Sequence, residues 1–220
     1  MKLKALLLDL DGTLLHTAPD MVNALNILLQ SHQKPEAEFD RAMRCVSRGA
    51  AAMIQVGFGK TAEDSDFETL KQEFLDIYAQ NICIGTQPFE GMLDVLDYCE
   101  NNSILWGIVT NKMERLTTPI LQQLNLDKRS SITVCGDTLS VNKPHPAPLL
   151  HCTTLLHLAP SNCLYVGDDV RDIQAGTAAG MHTAAANWGY FDKDTDVADW
   201  QPDFITNSPA GLLRLIQEHH

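Results

Sequence analysis

Six short apolar segments, separated by stretches of helical periodicity, constrain the fold of this 220-residue chain more than any other feature. Near-continuous apolar character over four to eight residues is typical of strands that are covered on both faces. Between the segments, apolar residues recur three and four positions apart, as in Met92, Val95, Leu96 and Cys99. Alternating strands and helices predict an α/β fold with a Rossmann-like parallel sheet. The segments are residues 3–10, 104–111, 131–137, 162–169, 182–189 and 203–206.

One long stretch interrupts this alternation. From about Ala18 to Gln80 no strand pattern is visible, and apolar residues recur at helical spacing instead. Ser65 and Glu68 have the spacing of a capping box, which predicts a helix start there. We therefore expect a small helical cap domain inserted after the first strand, with residues 1–15 and 86–220 forming the α/β core and residues 16–85 the cap.

Composition excludes several classes of function. The net charge of -12 argues against a nucleic-acid partner, because phosphate backbones bind to basic surfaces. No apolar run reaches the length of about 18 residues that would predict a membrane span. The six cysteines form no CxxC pair, which favours a reducing compartment and predicts a cytoplasmic location. The sequence predicts no oligomeric state.

Polar side chains follow four of the predicted strands at the point where each strand ends. Ligands of open parallel sheets bind at the carboxyl ends of strands, so these side chains are candidates for one shared site. Each taken alone is also explained by helix capping or by a turn. Their occurrence at several strand ends is harder to explain by capping. They are Asp9, Asp11, Thr110, Asn111, Asp137, Asp168 and Asp169.

Four motifs of the chain, three of which contain these strand-end residues, resemble the motifs of the haloacid dehalogenase superfamily and occur in the expected order. They are DLDGT (9–13), Thr110 in GIVTNK, Lys143 in NKPHP, and GDDVRD (167–172). Within that superfamily the chain is similar to the phosphoglycolate phosphatase-like branch. A closer resemblance, to N-acetylmuramic acid 6-phosphate phosphatases, lies in the sequence of four segments: VSRGAAAMI, FEGM, LWGIVTNK and VGDDVRDIQAGTAAG.

The residue types suit phosphoryl transfer. A covalent step needs a carboxylate nucleophile, for which Asp9 is the candidate. Asp11 is then free to protonate the leaving alkoxide and to activate water afterwards. Thr110 would donate a hydrogen bond to a phosphoryl oxygen, and Lys143 would neutralise its charge. Asn111 is a further candidate for binding substrate.

The resemblance also implies a metal cofactor. Two carboxylates and a phosphate repel one another, so a divalent cation is needed between them. The resemblance implies Mg²⁺ held by Asp9, the main-chain carbonyl of Asp11, and Asp168. Asp172 would support the metal's shell.

The predicted activity is hydrolysis of a small phosphorylated metabolite, either N-acetylmuramic acid 6-phosphate or 2-phosphoglycolate. In the cap, Arg48 is the candidate for contacting the leaving group, although a solvated helix face explains it as well. Two other functions stay open: a phosphosugar mutase that shields its aspartyl-phosphate from water, and a binding module without turnover.

Overall fold

The computed structural model describes residues 2–192 and 194–219. Its strands are β1 (Ala5–Leu8), β2 (Leu15–His16), β3 (Gln87–Pro88), β4 (Leu105–Val109), β5 (Ile132–Val134), β6 (Cys163–Gly167), β7 (His182–Ala186) and β8 (Phe204–Thr206). Six of them form a parallel sheet in the order β5-β4-β1-β6-β7-β8, which confirms the predicted α/β fold. The other two, β2 and β3, form a two-stranded antiparallel ribbon.

Strand β1 lies in the middle of the sheet and is buried on both faces. Leu6 and Leu8 pack into the core on one side, while Ala5 and Leu7 pack into the core on the other. All four residues are fully buried. Each buried leucine contributes about 1.5–3 kcal/mol relative to an exposed one. The absence of polar alternation in this segment therefore follows from its central position.

Nine α-helices lie within the described residues, and those after β3 cover the two faces of the sheet. They are α1 (Ala18–Ser31), α2 (Phe39–Met43), α3 (Gly49–Phe58), α4 (Phe67–Gln80), α5 (Met92–Asn101), α6 (Glu114–Gln123), α7 (Ala147–Leu156), α8 (Val170–Ala178) and α9 (Pro209–His219). Helices α5 and α9 pack on the face of Leu6 and Leu8, and α7 and α8 on the opposite face. Among the described residues, no helix combines the length and apolar character that a bilayer crossing requires.

Helices α1 to α4 make up the inserted stretch and pack around an apolar cluster of their own, which Leu116 and Tyr190 join from outside. The chain enters and leaves this stretch through the β2–β3 ribbon, in which His16 pairs with Gln87. The proposed cap boundaries at residues 16 and 85 fall beside this ribbon.

Asp20 fastens the two ends of the insertion together. Its buried carboxylate accepts hydrogen bonds from the backbone N–H groups of Ile84, Gly85 and Thr86, at 3.1, 2.7 and 3.0 Å. The Thr86 hydroxyl donates a fourth, at 2.6 Å. The returning chain is thus held against the first turn of α1.

The capping box predicted for Ser65 and Glu68 is wrong. Helix α4 begins at Phe67, and Asp66 stands at its N-cap without a side-chain hydrogen bond to the helix. Glu68 is in the first turn of the helix and pairs with Lys71, at 2.8 Å. The sequence spacing was correct for a capping box, but the chain enters the helix too late for Ser65 to cap it.

Candidate active site

Three neighbouring strands bring the predicted residues to one edge of the sheet. Asp9 follows β1, Thr110 follows β4 and Asp168 follows β6, and these strands lie side by side in the order β4-β1-β6. Lys143 reaches the same edge from the loop before α7 and contacts Asp9. Parallel topology thus unites side chains that are far apart in the sequence.

Lys143 is the most fully bonded cation of the site. Its ammonium group donates to Asp9 Oδ1 and Asp172 Oδ1, both at 2.7 Å. It also lies 2.9 Å from the Tyr165 hydroxyl and 3.0 Å from the Val109 carbonyl oxygen. Four oxygen atoms therefore surround a side chain that is only 4% exposed, and the ammonium position is fixed.

Burial and charge act in opposite directions on this group of residues. Burial raises the pKa of Asp9 to about 7, although Lys143 acts to lower it. Burial lowers the pKa of Lys143, but the carboxylates of Asp172 and Asp9 more than offset this and raise it overall. Lys143 is therefore a permanent cation beside a carboxyl group that ionises with difficulty when no other cation is present.

Asp168 is held by donors from three parts of the chain. Its Oδ1 accepts from the Thr13 hydroxyl at 3.2 Å, and its Oδ2 accepts from the Ser47 hydroxyl at 2.7 Å and the Tyr190 backbone N–H at 2.8 Å. Residue 12 beside Asp168 must be glycine for two reasons. A Cβ there would overlap the Asp168 carboxylate, and the φ of Gly12 is +84°, in the left-handed region that favours glycine. Burial, followed by the nearby carboxylates, raises the pKa of Asp168 well above its ordinary value.

The acidic residues fit a hard divalent cation. Asp9, Asp168 and Asp172 each offer a carboxylate oxygen, and these atoms lie within 4.8 Å of one another. The Ser47 hydroxyl also lies 3.3 Å from the main-chain carbonyl of Asp11, so that carbonyl faces the same place as Asp168. Oxygen donors of this kind are the ligands that Mg²⁺ prefers. All three carboxylates are buried, and the pKa values of Asp9 and Asp168 are raised. Both observations fit a site that binds a cation.

Asp11 is held through one of its two carboxylate oxygens. The Thr17 hydroxyl donates to Asp11 Oδ1 at 2.6 Å, and the Lys112 ammonium donates to the same oxygen at 2.7 Å. The Lys112 ammonium also lies over the ring of Tyr78, 4.8 Å from its centroid. The other carboxylate oxygen of Asp11 makes no hydrogen bond within the described residues.

Thr110 and Asn111 take different places at the end of β4. The Thr110 hydroxyl accepts from the Lys112 backbone N–H at 3.1 Å and borders the central cavity. Asn111 clamps the loop that carries Lys143: its Nδ2 donates to the Lys143 carbonyl and its Oδ1 accepts from the Lys143 N–H, both at 3.1 Å. Asn111 therefore positions Lys143, and it also borders the cavity.

Two candidates from the sequence lie apart from these contacts. Asp137 accepts from the Glu114 backbone N–H at 2.8 Å and satisfies the start of α6, which is the capping role considered for it. Arg48 is exposed; its guanidinium donates to the Cys45 sulfur at 3.3 Å and contacts none of the site carboxylates. It does border the cavity.

A cavity of about 470 Å³ lies between the sheet edge and the inserted helices. Its floor carries Asp9, Asp11, Thr110 and Lys143, and much of the opposite wall is apolar. Sites of roughly 300–1,000 Å³ enclose ligands of drug-like size. The apolar lining comes mostly from the insertion and from α6, through Met21, Val46, Phe74, Leu75, Met113 and Leu116.

Sequence reasoning missed four residues of the site: Tyr78, Lys112, Tyr165 and Tyr190. Lys112 had a visible signal, since it directly follows the strand-end pair Thr110-Asn111. Tyr165 lies within β6, where an aromatic residue is ordinary in the core. The other two reach the site only through tertiary contact. Burial raises the pKa of Tyr78 to about 12, so its hydroxyl stays protonated.

The fold and the site define an enzyme that works with carboxylates and a lysine on a small substrate at the edge of a parallel sheet. A family model described as haloacid dehalogenase-like hydrolase matches residues 6–186, and the chain belongs to this family. This confirms the resemblance seen in the motifs.

Named relatives cover nearly the whole chain. It is 39% identical over 216 residues to the N-acetylmuramic acid 6-phosphate phosphatase of Pseudomonas aeruginosa, covering 98% of this chain and 96% of the relative. It is 41% identical over 209 residues to a phosphoglycolate phosphatase of Xanthomonas campestris, covering 95% and 94%. A crystal structure of a predicted phosphoglycolate phosphatase from Haemophilus somnus superposes with a TM-score of 0.87 at 28% identity, covering 99% of each chain.

Proposed function

We propose that this phosphatase hydrolyses a small phosphorylated metabolite through an aspartyl-phosphate formed on Asp9. The observation that carries the proposal is the setting of Asp9 on the cavity floor. Lys143 binds Asp9 Oδ1 at 2.7 Å, while Asp9 Oδ2 makes no hydrogen bond within the described part of the chain. One oxygen is thus fixed and the other is left to act as nucleophile.

Asp9 and Asp11 divide the chemistry between them. Asp9 Oδ2 forms a bond to phosphorus while the bond from phosphorus to the leaving oxygen breaks, and Asp11 gives its proton to that oxygen. Asp11, now ionised, takes a proton from water, which attacks the phosphorus. The bond between phosphorus and Asp9 then breaks, which releases inorganic phosphate and restores both carboxyl groups.

Neighbouring residues support the two steps. The Lys143 ammonium neutralises charge on the transferring group. The Thr110 hydroxyl accepts from the Lys112 N–H, so its proton is directed to a phosphoryl oxygen. Asn111 keeps Lys143 in register through its two backbone hydrogen bonds.

We further propose that Mg²⁺ is the cofactor, held by Asp9, the main-chain carbonyl of Asp11, and Asp168, with Asp172 in support. When bound, a divalent cation offsets the repulsion between these carboxylates and a phosphate dianion. The cluster of oxygen donors within 4.8 Å supports this assignment.

The names of the relatives support two substrates, N-acetylmuramic acid 6-phosphate and 2-phosphoglycolate. A cavity of about 470 Å³ with an apolar wall favours the larger sugar phosphate, because a two-carbon ester would fill little of it. We also propose a cytoplasmic location for the protein, because all six cysteines are free and disulfides are rare in the cytoplasm.

The test is phosphate release by the purified protein with Mg²⁺ across a panel that includes both substrates. Asp9→Asn should lower kcat by about 10³-fold or more, because the amide is not a nucleophile. Asp137→Asn is the matched control: it changes another strand-end aspartate in the same way, but one that lies outside the site, and it should keep its activity.

Three results would contradict the proposal. The mechanism fails if Asp9→Asn retains full activity or if no substrate releases phosphate. Conversion of a phosphosugar into its isomer without release of inorganic phosphate would indicate a mutase. Tight binding of phosphorylated metabolites without turnover, unchanged in Asp9→Asn, would indicate a binding module.

A further inference from the structure

We propose that Lys112 and Tyr78 form a specificity subsite for an acceptor oxygen, such as a carboxylate or a hydroxyl group, that the leaving group carries close to the ester oxygen. The inference rests on the proposed phosphatase function and deepens it, because it assigns residues that read the part of the substrate beyond the phosphate.

The structure contains two lysine–tyrosine pairs of similar geometry, which differ in how many oxygen atoms contact the ammonium group. In the first, the Lys143 ammonium lies 5.6 Å from the Tyr165 ring centroid and has four oxygen partners. In the second, the Lys112 ammonium lies 4.8 Å from the Tyr78 ring centroid and has one oxygen partner, on Asp11. Both lysines are almost fully buried, with side chains 4% and 6% exposed.

The Lys112 ammonium is therefore short of acceptors. An ammonium group has three N–H donors, and here one of them is used by Asp11 Oδ1. The Met21 sulfur at 3.9 Å is a weak acceptor, and the Tyr78 hydroxyl lies close enough to affect the pKa of Lys112 but makes no hydrogen bond of normal geometry to it. Buried donors of a charged group normally have oxygen partners, so the remaining N–H groups of Lys112 are suited to binding an oxygen of the substrate.

The Tyr78 hydroxyl shows the same deficit. Within the described residues it is the buried side-chain polar atom without a hydrogen-bond partner. The Tyr165 hydroxyl, by contrast, contacts Asp172 at 3.0 Å and Val109 at 3.1 Å. An unsatisfied buried hydroxyl destabilises the folded protein, so its retention at a cavity points to a ligand that satisfies it.

The location of the pair defines which part of a substrate it meets. Asp11 faces the leaving oxygen in the proposed reaction, and Lys112 is one hydrogen bond away from Asp11. Lys112 and Tyr78 both border the cavity, whose wall around them is apolar at Met21, Phe74 and Leu116. An oxygen on a carbon near the ester bond would therefore find two donors at this pair.

The test compares matched phosphate esters with and without such an oxygen. One pair is 2-phosphoglycolate and ethyl phosphate, and the other is 2-hydroxyethyl phosphate and propyl phosphate, in which a methyl group replaces the hydroxyl. Tyr78→Phe removes one oxygen atom and keeps the ring. It should lower kcat/KM about tenfold for the oxygen-bearing member of a pair, chiefly through KM, and leave the other member within about twofold. Lys112→Met should act in the same direction, with an added loss common to all substrates because Asp11 loses a partner.

Tyr165→Phe is the matched control, since it deletes the hydroxyl of the Lys143–Tyr165 pair, whose polar groups already have hydrogen-bond partners in the protein. It should lower activity equally for both members of each pair. Thermal unfolding checks the fold: Tyr78→Phe should have a Tm equal to or above that of the unmodified chain, because it loses no hydrogen bond. An equal effect of Tyr78→Phe on both members, or no effect on either, would overturn the subsite. Absence of phosphate release by the unmodified chain would instead overturn the proposed function.

Discussion

Asp168 shows how one residue can be well hydrogen-bonded and still be costly to ionise. Three donors surround its carboxylate, yet burial and the nearby carboxylates raise its pKa well above the ordinary value. Burial likewise raises the pKa of Asp9 from 3.8 to about 7. Donors satisfy the lone pairs of a carboxylate, but they do not supply the positive charge that replaces water.

The pH dependence of stability follows from these two residues. An acid with a raised pKa holds more protons in the folded than in the unfolded state, so the free energy of unfolding falls as pH rises between the two pKa values. For Asp9 that range is 3.8 to about 7. In EDTA we expect Tm to fall from about pH 4 to about pH 7, and millimolar Mg²⁺ to restore more stability at the higher pH.

Asp168→Asn tests the assignment at the level of one side chain. In EDTA at about pH 8 the variant should unfold at a Tm equal to or above that of the unmodified chain, because it has no charge to bury. It should also lose most of the stabilisation by Mg²⁺. Calorimetry with and without Mg²⁺ measures both, and a variant that is still fully stabilised by Mg²⁺ would exclude Asp168 as a ligand.

At this scale the sequence was informative about some residues and silent about others. Asp9, Thr110 and Lys143 stand in short motifs at strand ends, where a polar side chain has few other reasons to be buried. Tyr78 lies in a helical stretch in which an aromatic residue is ordinary. Its role depends on how the insertion meets the sheet, and no local pattern encodes that contact.

Among the elements, the first turn of α1 depends on Asp20 more than on its own helical pattern. Four donors from residues 84–86 converge on this buried carboxylate. Asp20→Ala would leave three backbone N–H groups and a hydroxyl without their acceptor. We expect a loss of about 2–4 kcal/mol in the free energy of unfolding.

Denaturant unfolding measures the effect of Asp20→Ala. Glu63→Ala is the control, because it removes an exposed acid with no hydrogen bond or ion pair in the described structure, and it should change stability by less than about 0.5 kcal/mol. A loss for Asp20→Ala as small as that of the control would mean that residues 84–86 find other acceptors.

The existence of elements was predictable, while their ends were not. Apolar runs and helical spacing indicated each strand of the six-stranded sheet, because burial on two faces leaves a clear pattern. Helix ends depend on single hydrogen bonds, as the failed capping box at Ser65 shows. Asp137 makes the opposite point, since a strand-end aspartate that resembled a site residue proved to satisfy the start of α6.

At the scale of the whole molecule, charge is distributed unevenly. The chain carries a net charge of -12, yet Lys112 and Lys143 are almost fully buried at the cavity. Each stands against carboxylates that raise its pKa, so both remain cations over the physiological range. An acidic protein can therefore still offer positive groups to an anionic ester, because these two ammonium groups border the cavity.

We propose that the β2–β3 ribbon makes the inserted helices an exchangeable unit. Because His16 lies opposite Gln87, both crossings of the chain occur at one place, and the strands behind them need not change when the insertion does. Evolution could thus replace the residues of the insertion that contact the leaving group, such as Tyr78, while Lys112 and the strand-end aspartates stay in place. A chimaera carrying residues 16–85 of a relative with another substrate preference should keep metal-stimulated phosphate release and shift toward the donor's preference, as a substrate panel would show. The two short strands would then mark the boundary at which a change of substrate specificity leaves the catalytic residues of the sheet unchanged.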